Sequence, residues 1–205
     1  SRLQYNRNNV SYKMLMNICY LIVNGMLISE KEGELKLSRY IDDQQMHVLY
    51  EKFILAYYKK HFPQFRVTQS HIPWNTDDGM IELLPRMRSD IMIEYKGKTL
   101  IIDAKYYDSS MQKNSRYGNK TIHSHNLYQI FAYVKNKDTK HSGDVSGMLL
   151  YANTDGENPD KEYLMDGNKI SVKTLDLNCD FTEVRRQLDA IIESWLSDIN
   201  HKSIV

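Results

Sequence analysis

The chain has 205 residues, 41% of them hydrophobic and 26% charged, enough for one well-buried domain with a small extension and an ordinary balance for a globular protein. A formal net charge of +1 excludes a broad basic surface, so any nucleic acid has to be met by a local patch or through another chain. Two cysteines, Cys19 and Cys179, are too few for a disulfide framework or a zinc or iron–sulfur centre, and they read as buried thiols in a reducing cytoplasm.

Residues 1–10 are polar and read as an arm. From Ser11 to about Leu27, Met14, Leu15, Ile18, Cys19, Ile22 and Val23 recur at helical spacing and predict a core-packing helix capped by Ser11. Its apolar run, Ile18 to Val23, is far too short to cross a bilayer, and no signal-peptide pattern precedes it. The first residue is Ser1 in place of a methionine, which reads as an excised piece. Residues 1–41 are expected to form a helical extension packed on the rest. Asp42 and Asp43 then open a helix that is stopped before Pro63. Met46, Leu49, Tyr50, Phe53, Ile54 and Tyr57 form its apolar stripe, and Glu51 stands at the border. Phe65 to Ile72 reads as the first strand. Trp74 to Gly79 is a loop, Ile81 to Leu84 is apolar, and Arg86 and Arg88 bracket the entry to the next element.

That element, Ser89 to Tyr107, carries the chemistry. Two Ile-rich runs flank Lys96-Gly97, and Gly97 can take the positive φ of a two-residue hairpin turn. With that turn Tyr95 faces Lys98, and Asp90 therefore faces Asp103. Side chains alternate along a strand, so Lys105 shares the face of Asp103. Like charges directly opposite destabilise a sheet, their Cβ atoms being only about 4.5–5.5 Å apart. Taken singly, each of these residues is an ordinary salt-bridged strand-end group. As a set beside Ile101 and Ile102, they make sense if a hard divalent cation bridges the carboxylates. A cation there can activate water and steady charge on a phosphate, with the lysine beside the nucleophile, and the chemistry implied is phosphodiester hydrolysis.

After Tyr107 comes a long polar stretch, Asp108 to Thr121, where Lys113, Arg116 and Lys120 surround Tyr117. Cations interleaved with an aromatic suit a nucleic-acid backbone, and a solvated loop fits the same composition. A helix is predicted from about His123 to Lys135, with Leu127, Ile130, Phe131 and Val134 inward and Gln129 and Tyr133 on a neighbouring stripe. Lys135 to Asp144 is a hydrophilic loop meeting DNA or solvent. Val145 to Ala152 is a buried strand, and Glu162 to Leu177 is a hairpin around Asp166-Gly167-Asn168. A last helix from Thr182 presents Val184, Leu188, Ile191, Ile192, Trp195 and Ile199 on one side.

Asp90 followed by Asp103-Ala104-Lys105, with Ser89 where a proline often stands, resembles the PD-(D/E)xK nuclease motif. Asp-Ala-Lys-Tyr-Tyr and Gln129-Ile-Phe-Ala-Tyr133 are similar to the McrC subunits of modification-dependent restriction systems. The resemblance runs from about Tyr12 to the end. It implies an αβββαβ core with a mixed sheet flanked by helices, occupying residues 42–205. It also implies a Mg²⁺-dependent DNA endonuclease in which Mn²⁺ can substitute. Asp90, Asp103 and the Ala104 carbonyl would hold the metal, Lys105 would assist the attacking water, Glu51 would reach the metal or its water, and Gln129 and Tyr133 would line the catalytic face. The implied partners are double-stranded DNA and a McrB-like AAA+ GTPase. No P-loop pattern occurs in this sequence, so nucleotide hydrolysis is expected on another chain. The alternatives within reach of the sequence are a stand-alone repair or junction-resolving nuclease, or a non-catalytic DNA- or protein-binding scaffold. Pairing of two copies for a double-strand break is left open.

Overall fold

The computed structural model describes residues 43–106, 112–113, 120–153 and 159–202. The expected helix near residues 11–27, the whole 1–41 extension and Cys19 lie outside them. Among the described residues the architecture is α/β. A mixed six-stranded sheet is covered on one face by helices α1 (Asp43–His61) and α3 (Phe181–Lys202) and on the other by α2 (Ser124–Lys137).

The sheet is built around the hairpin. Strands β4 (Ile91–Tyr95) and β5 (Lys98–Lys105) pair antiparallel from Tyr95↔Lys98 to Ile91↔Ile102. Lys96 and Gly97 turn between them at φ values of 47° and 78°, the doubly left-handed geometry that matches strand twist. On its other side β5 runs parallel to β8 (Val145–Ala152), which is parallel in turn to β10 (Asn168–Leu175). Parallel neighbours need crossover connections, supplied by α2 between β5 and β8 and by a segment that includes the edge strand β9 (Lys161–Met165) between β8 and β10. The central strand is accordingly apolar on both faces. Leu100, Ile102 and Ala104 face the α1/α3 side, where Tyr50, Phe53, Tyr57, Leu188 and Ile192 meet them. Ile101 faces α2 with Leu149, Ile130 and Val134.

One small residue lets α2 approach. A Cβ on Gly147 of β8 would stand 2.8 Å from Ile130 Cγ1 and Val134 Cγ2 and 2.9 Å from Ile170 Cδ1. The close approach brings the Gln129 side of α2 down to the end of β5. The edges of the sheet are β1 (Arg66–Thr68), beside β4, and β9 (Lys161–Met165), beside β10. Asp166 and Gly167 make the predicted second hairpin turn. No described helix is long and apolar enough to cross a membrane.

Several sequence expectations are corrected. The single strand over Phe65–Ile72 is two. Ser89 N–H donates to the Ser70 carbonyl, and the Ser89 hydroxyl accepts from Ser70 N–H. The chain therefore breaks after Thr68, and β2 (His71–Ile72) leaves the main sheet to pair with β3 (Met87–Arg88). Met80, Ile81 and Leu83 are exposed on the β2–β3 connection. The stretch 108–121 is not wholly loop, because β6 (Gln112–Lys113) and β7 (Lys120–Thr121) pair antiparallel within it. Cys179 is partly buried, its thiol 3.1 Å from the Asp176 carbonyl.

Candidate active site

The hairpin register puts Asp90 one residue before β4, opposite Asp103 by continuation of the ladder. Asp103 is 1% exposed and Lys105 6% exposed, both within an otherwise apolar strand. The Asp90 carboxylate accepts the Ala104 N–H at 2.8 Å. That bond continues the pairing by a side chain where the backbone ladder stops, and it fixes the two acids next to each other. Asp103 lies within hydrogen-bond reach of Asp90. Asp103 Oδ2 is buried and sits 2.9 Å from Lys105 Nζ in a close ion pair, with no hydrogen-bond partner among the described residues.

The electrostatics follow from this burial. Loss of water pushes the Asp90 carboxyl up to about 8, and the charges of Asp103 and Glu51 add to the rise against the pull of the Ala104 amide and Lys105. Asp103 is also raised by burial, against the lowering effect of Lys105. Two acids share a dry site that one ammonium only partly neutralises.

The helices supply the rest. From α2, Gln129 Oε1 accepts from Lys105 Nζ at 3.1 Å, while its Nε2 donates to the Tyr133 hydroxyl at 2.8 Å. Gln129 thus orients the ammonium and is itself oriented by the buried Tyr133, four residues on. From α1, Glu51 is near enough for its charge to act on Asp90. Its Oε1 is 2.9 Å from His47 Nε2. His47 escaped the sequence reading; its spacing of four from Glu51 was the available signal. Asp90, Asp103, Ala104, Lys105, Glu51, Gln129 and Tyr133 therefore form one connected cluster drawn from both helix layers and the central hairpin.

The three cations read as DNA contacts lie in the stretch after β5. Lys113 and Lys120 pair across the β6–β7 ladder, and Arg116 lies outside the described residues. Of the arginines flanking the hairpin entry, Arg88 donates to Gln69 Oε1, and Arg86 is exposed.

Among the described residues no three His, Cys, Asp or Glu side chains converge as ligands. Among the described residues, the oxygen donors near a cation would include the two aspartates and backbone carbonyls of β5, with the Glu51 carboxylate at the edge. The buried, unpartnered Oδ2 of Asp103 and the mutual repulsion of the two acids both fit a hard cation, which prefers oxygen and leaves positions to water. An arrangement of this kind can bind a divalent ion and hold a lysine ammonium beside it.

Over residues 1–152 the chain matches the family described as McrBC 5-methylcytosine restriction system component. Over 200 residues it is 28% identical to the Type IV methyl-directed restriction enzyme EcoKMcrBC of Escherichia coli, an alignment covering 96% of this chain and 57% of that protein. The chain thus spans little more than half the length of that relative.

Proposed function

This chain belongs to the family of McrBC 5-methylcytosine restriction system components, and from that premise we propose that it carries the DNA-cutting centre of such a system, a metal-dependent endonuclease with a PD-(D/E)xK core. The observation that carries the reading is the pairing of half-buried Asp90 with buried Asp103. Two carboxylates are held against each other at the end of the core hairpin, and among the described residues Asp103 Oδ2 lacks a hydrogen-bond partner while Lys105 stands 2.9 Å away. A purely structural site gains nothing from that repulsion.

In this reading Asp90, Asp103 and the Ala104 carbonyl hold Mg²⁺ or Mn²⁺. Bound there, the ion supplies Lewis acidity, making water a better nucleophile at neutral pH and offsetting phosphate charge. The chain's own groups do the rest. Asp90 and Asp103 both ionise when cation charge replaces their mutual repulsion. Lys105, oriented by Gln129 and Tyr133, places its ammonium where negative charge grows as the phosphodiester is attacked. Glu51 adds a carboxylate at the edge of the site, able to accept a proton from the attacking water. The nuclease domain of this reading spans residues 42–205. A McrB-like AAA+ GTPase and double-stranded DNA are the partners, and the cytoplasm is the place of action.

Isothermal titration of Mn²⁺ into the wild type and Asp103→Asn, with plasmid nicking on the same samples, tests the assignment. Metal binding and nicking by the wild type, both lost in the variant, is the expected result. Equal nicking by the variant would sink it. Binding without nicking by the wild type indicates a cutter that waits for its motor, and addition of the GTPase subunit with GTP should then restore cleavage.

A further inference from the structure

His47 has both ring nitrogens engaged by residues next to the proposed cutting centre. Nδ1 accepts the backbone N–H of Tyr106 at 3.4 Å, and Nε2 lies 2.9 Å from Glu51 Oε1. An imidazole nitrogen that accepts a backbone N–H bears no proton, so the ring proton is on Nε2 and is donated to the carboxylate. Tyr106 directly follows Lys105 in the chain, while Glu51 stands one turn beyond His47 on α1. A single ring thus ties the strand end carrying Lys105 to the helix carrying Glu51.

We infer that His47 is a positioning residue for the cutting centre, fixing the carboxylate of Glu51 beside Asp90 by the His47–Glu51 hydrogen bond and locking helix α1 to the end of β5 by the Tyr106 bond. The inference rests on the nuclease reading and deepens it. A glutamate on a helix surface ordinarily samples many rotamers, and a donor fixed by its own second bond removes that freedom on Oε1. The other oxygen stays available to water or metal. Groups that orient the members of a metal site are worth about 10- to 100-fold in affinity or activity.

The test compares His47→Leu, which removes both bonds, with His47→Gln, whose amide keeps one acceptor and one donor. Asp103→Asn serves as the inactive control. In the wild type, ring-nitrogen NMR should report the Nε2–H tautomer of His47, with its signal moving in Glu51→Ala. His47→Leu should lower the kcat of Mn²⁺-dependent nicking about 10- to 100-fold, with the KM for plasmid within about twofold. His47→Gln should recover most of the loss, which a general loss of fold would not permit. An Nδ1–H tautomer would overturn the inference. So would His47→Leu nicking like the wild type while Asp103→Asn is dead, and that result leaves the nuclease reading intact. A wild type that neither binds Mn²⁺ nor nicks, alone or with its motor, brings down the nuclease reading itself and the role of His47 with it.

Discussion

Two buried aspartates at different ends of this fold have opposite lives. Asp138, which follows α2, is 3% exposed, and Asp103 in β5 is 1% exposed. Asp138 Oδ1 accepts from Ser142 N–H and Oγ–H at 3.0 and 2.9 Å, and its Oδ2 accepts from Gly143 N–H and Asn168 Nδ2 at 2.8 Å each. Burial alone would raise its pKa, but the bonds from Asn168, Ser142 and Gly143 outweigh it and hold the group at about 2. Asp103 Oδ2 has the Lys105 ion pair but no hydrogen-bond partner among the described residues, and with a second acid for a neighbour its pKa is raised by burial. Burial is common to both, so what separates a structural carboxylate from one proposed to hold a cation is how far its lone pairs are already filled.

The sharpest break of this contrast is a pair of substitutions. Asp103→Asn removes a charge that the fold does not need, so it should cost about a thousandfold or more in nicking while leaving the thermal midpoint unchanged or higher. Asp138→Ala should do the reverse. With Ser142, Gly143 and Asn168 deprived of their acceptor, urea melts should show a loss of about 3 kcal/mol, with Mn²⁺ affinity unchanged.

Acid titration separates the two aspartates again. The folded pKa of Asp138 lies near 2, below its ordinary 3.8, so its contribution is complete above 3.8 and is lost as pH falls through about 2. The amount is about 2 kcal/mol, and Asp138→Asn should flatten the stability curve across that window. Asp90 works with the opposite sign. Its folded pKa is raised from 3.8 to about 8, so between those values the unfolded chain releases a proton that the folded chain keeps. Metal-free protein should therefore lose stability as pH climbs from about 4 to about 8. Asp90→Asn should flatten that slope, leaving what Asp103 contributes, and Mg²⁺ should raise the melting temperature more at pH 8 than at pH 5. The smallest effect is expected at Gln129→Leu. It leaves both acids in place and frees only the Lys105 ammonium, for about a tenfold loss in kcat with metal affinity preserved.

The strands and helices that matter most were legible because their signals are local. Lys96-Gly97 between two Ile-rich runs specifies a hairpin, and the hairpin specifies its register by counting, so Asp90 opposite Asp103 followed from the chain alone. The periodicity of Met46 to Tyr57, and of Val184 to Trp195, fixed which helix faces go inward. The spacing of Gln129 and Tyr133 showed that they share a side of α2. Other features are legible only when distant segments meet. The split of residues 65–72 into two strands depends on Ser89 capturing Ser70 across the β2–β3 loop. The loop after α2 is exposed at Thr139 to Ser142, as its polar composition predicts, while its anchor, Asp138 held to Asn168 30 positions away, exists only in the folded chain. The contact of His47 with the Tyr106 amide, 59 positions away, likewise exists only in the folded chain.

By itself the sequence determined the hairpin, its facing acids, the lysine on their face and the helical stripes, since turn geometry and side-chain periodicity act between near neighbours. Only the tertiary structure decided which acid is satisfied and which is left bare. It also decided that Gln129 reaches Lys105 and that His47 joins Glu51 to the end of β5. Hydrogen-bond saturation and desolvation depend on what packs around a group, and that is set by segments the chain brings together only when it folds.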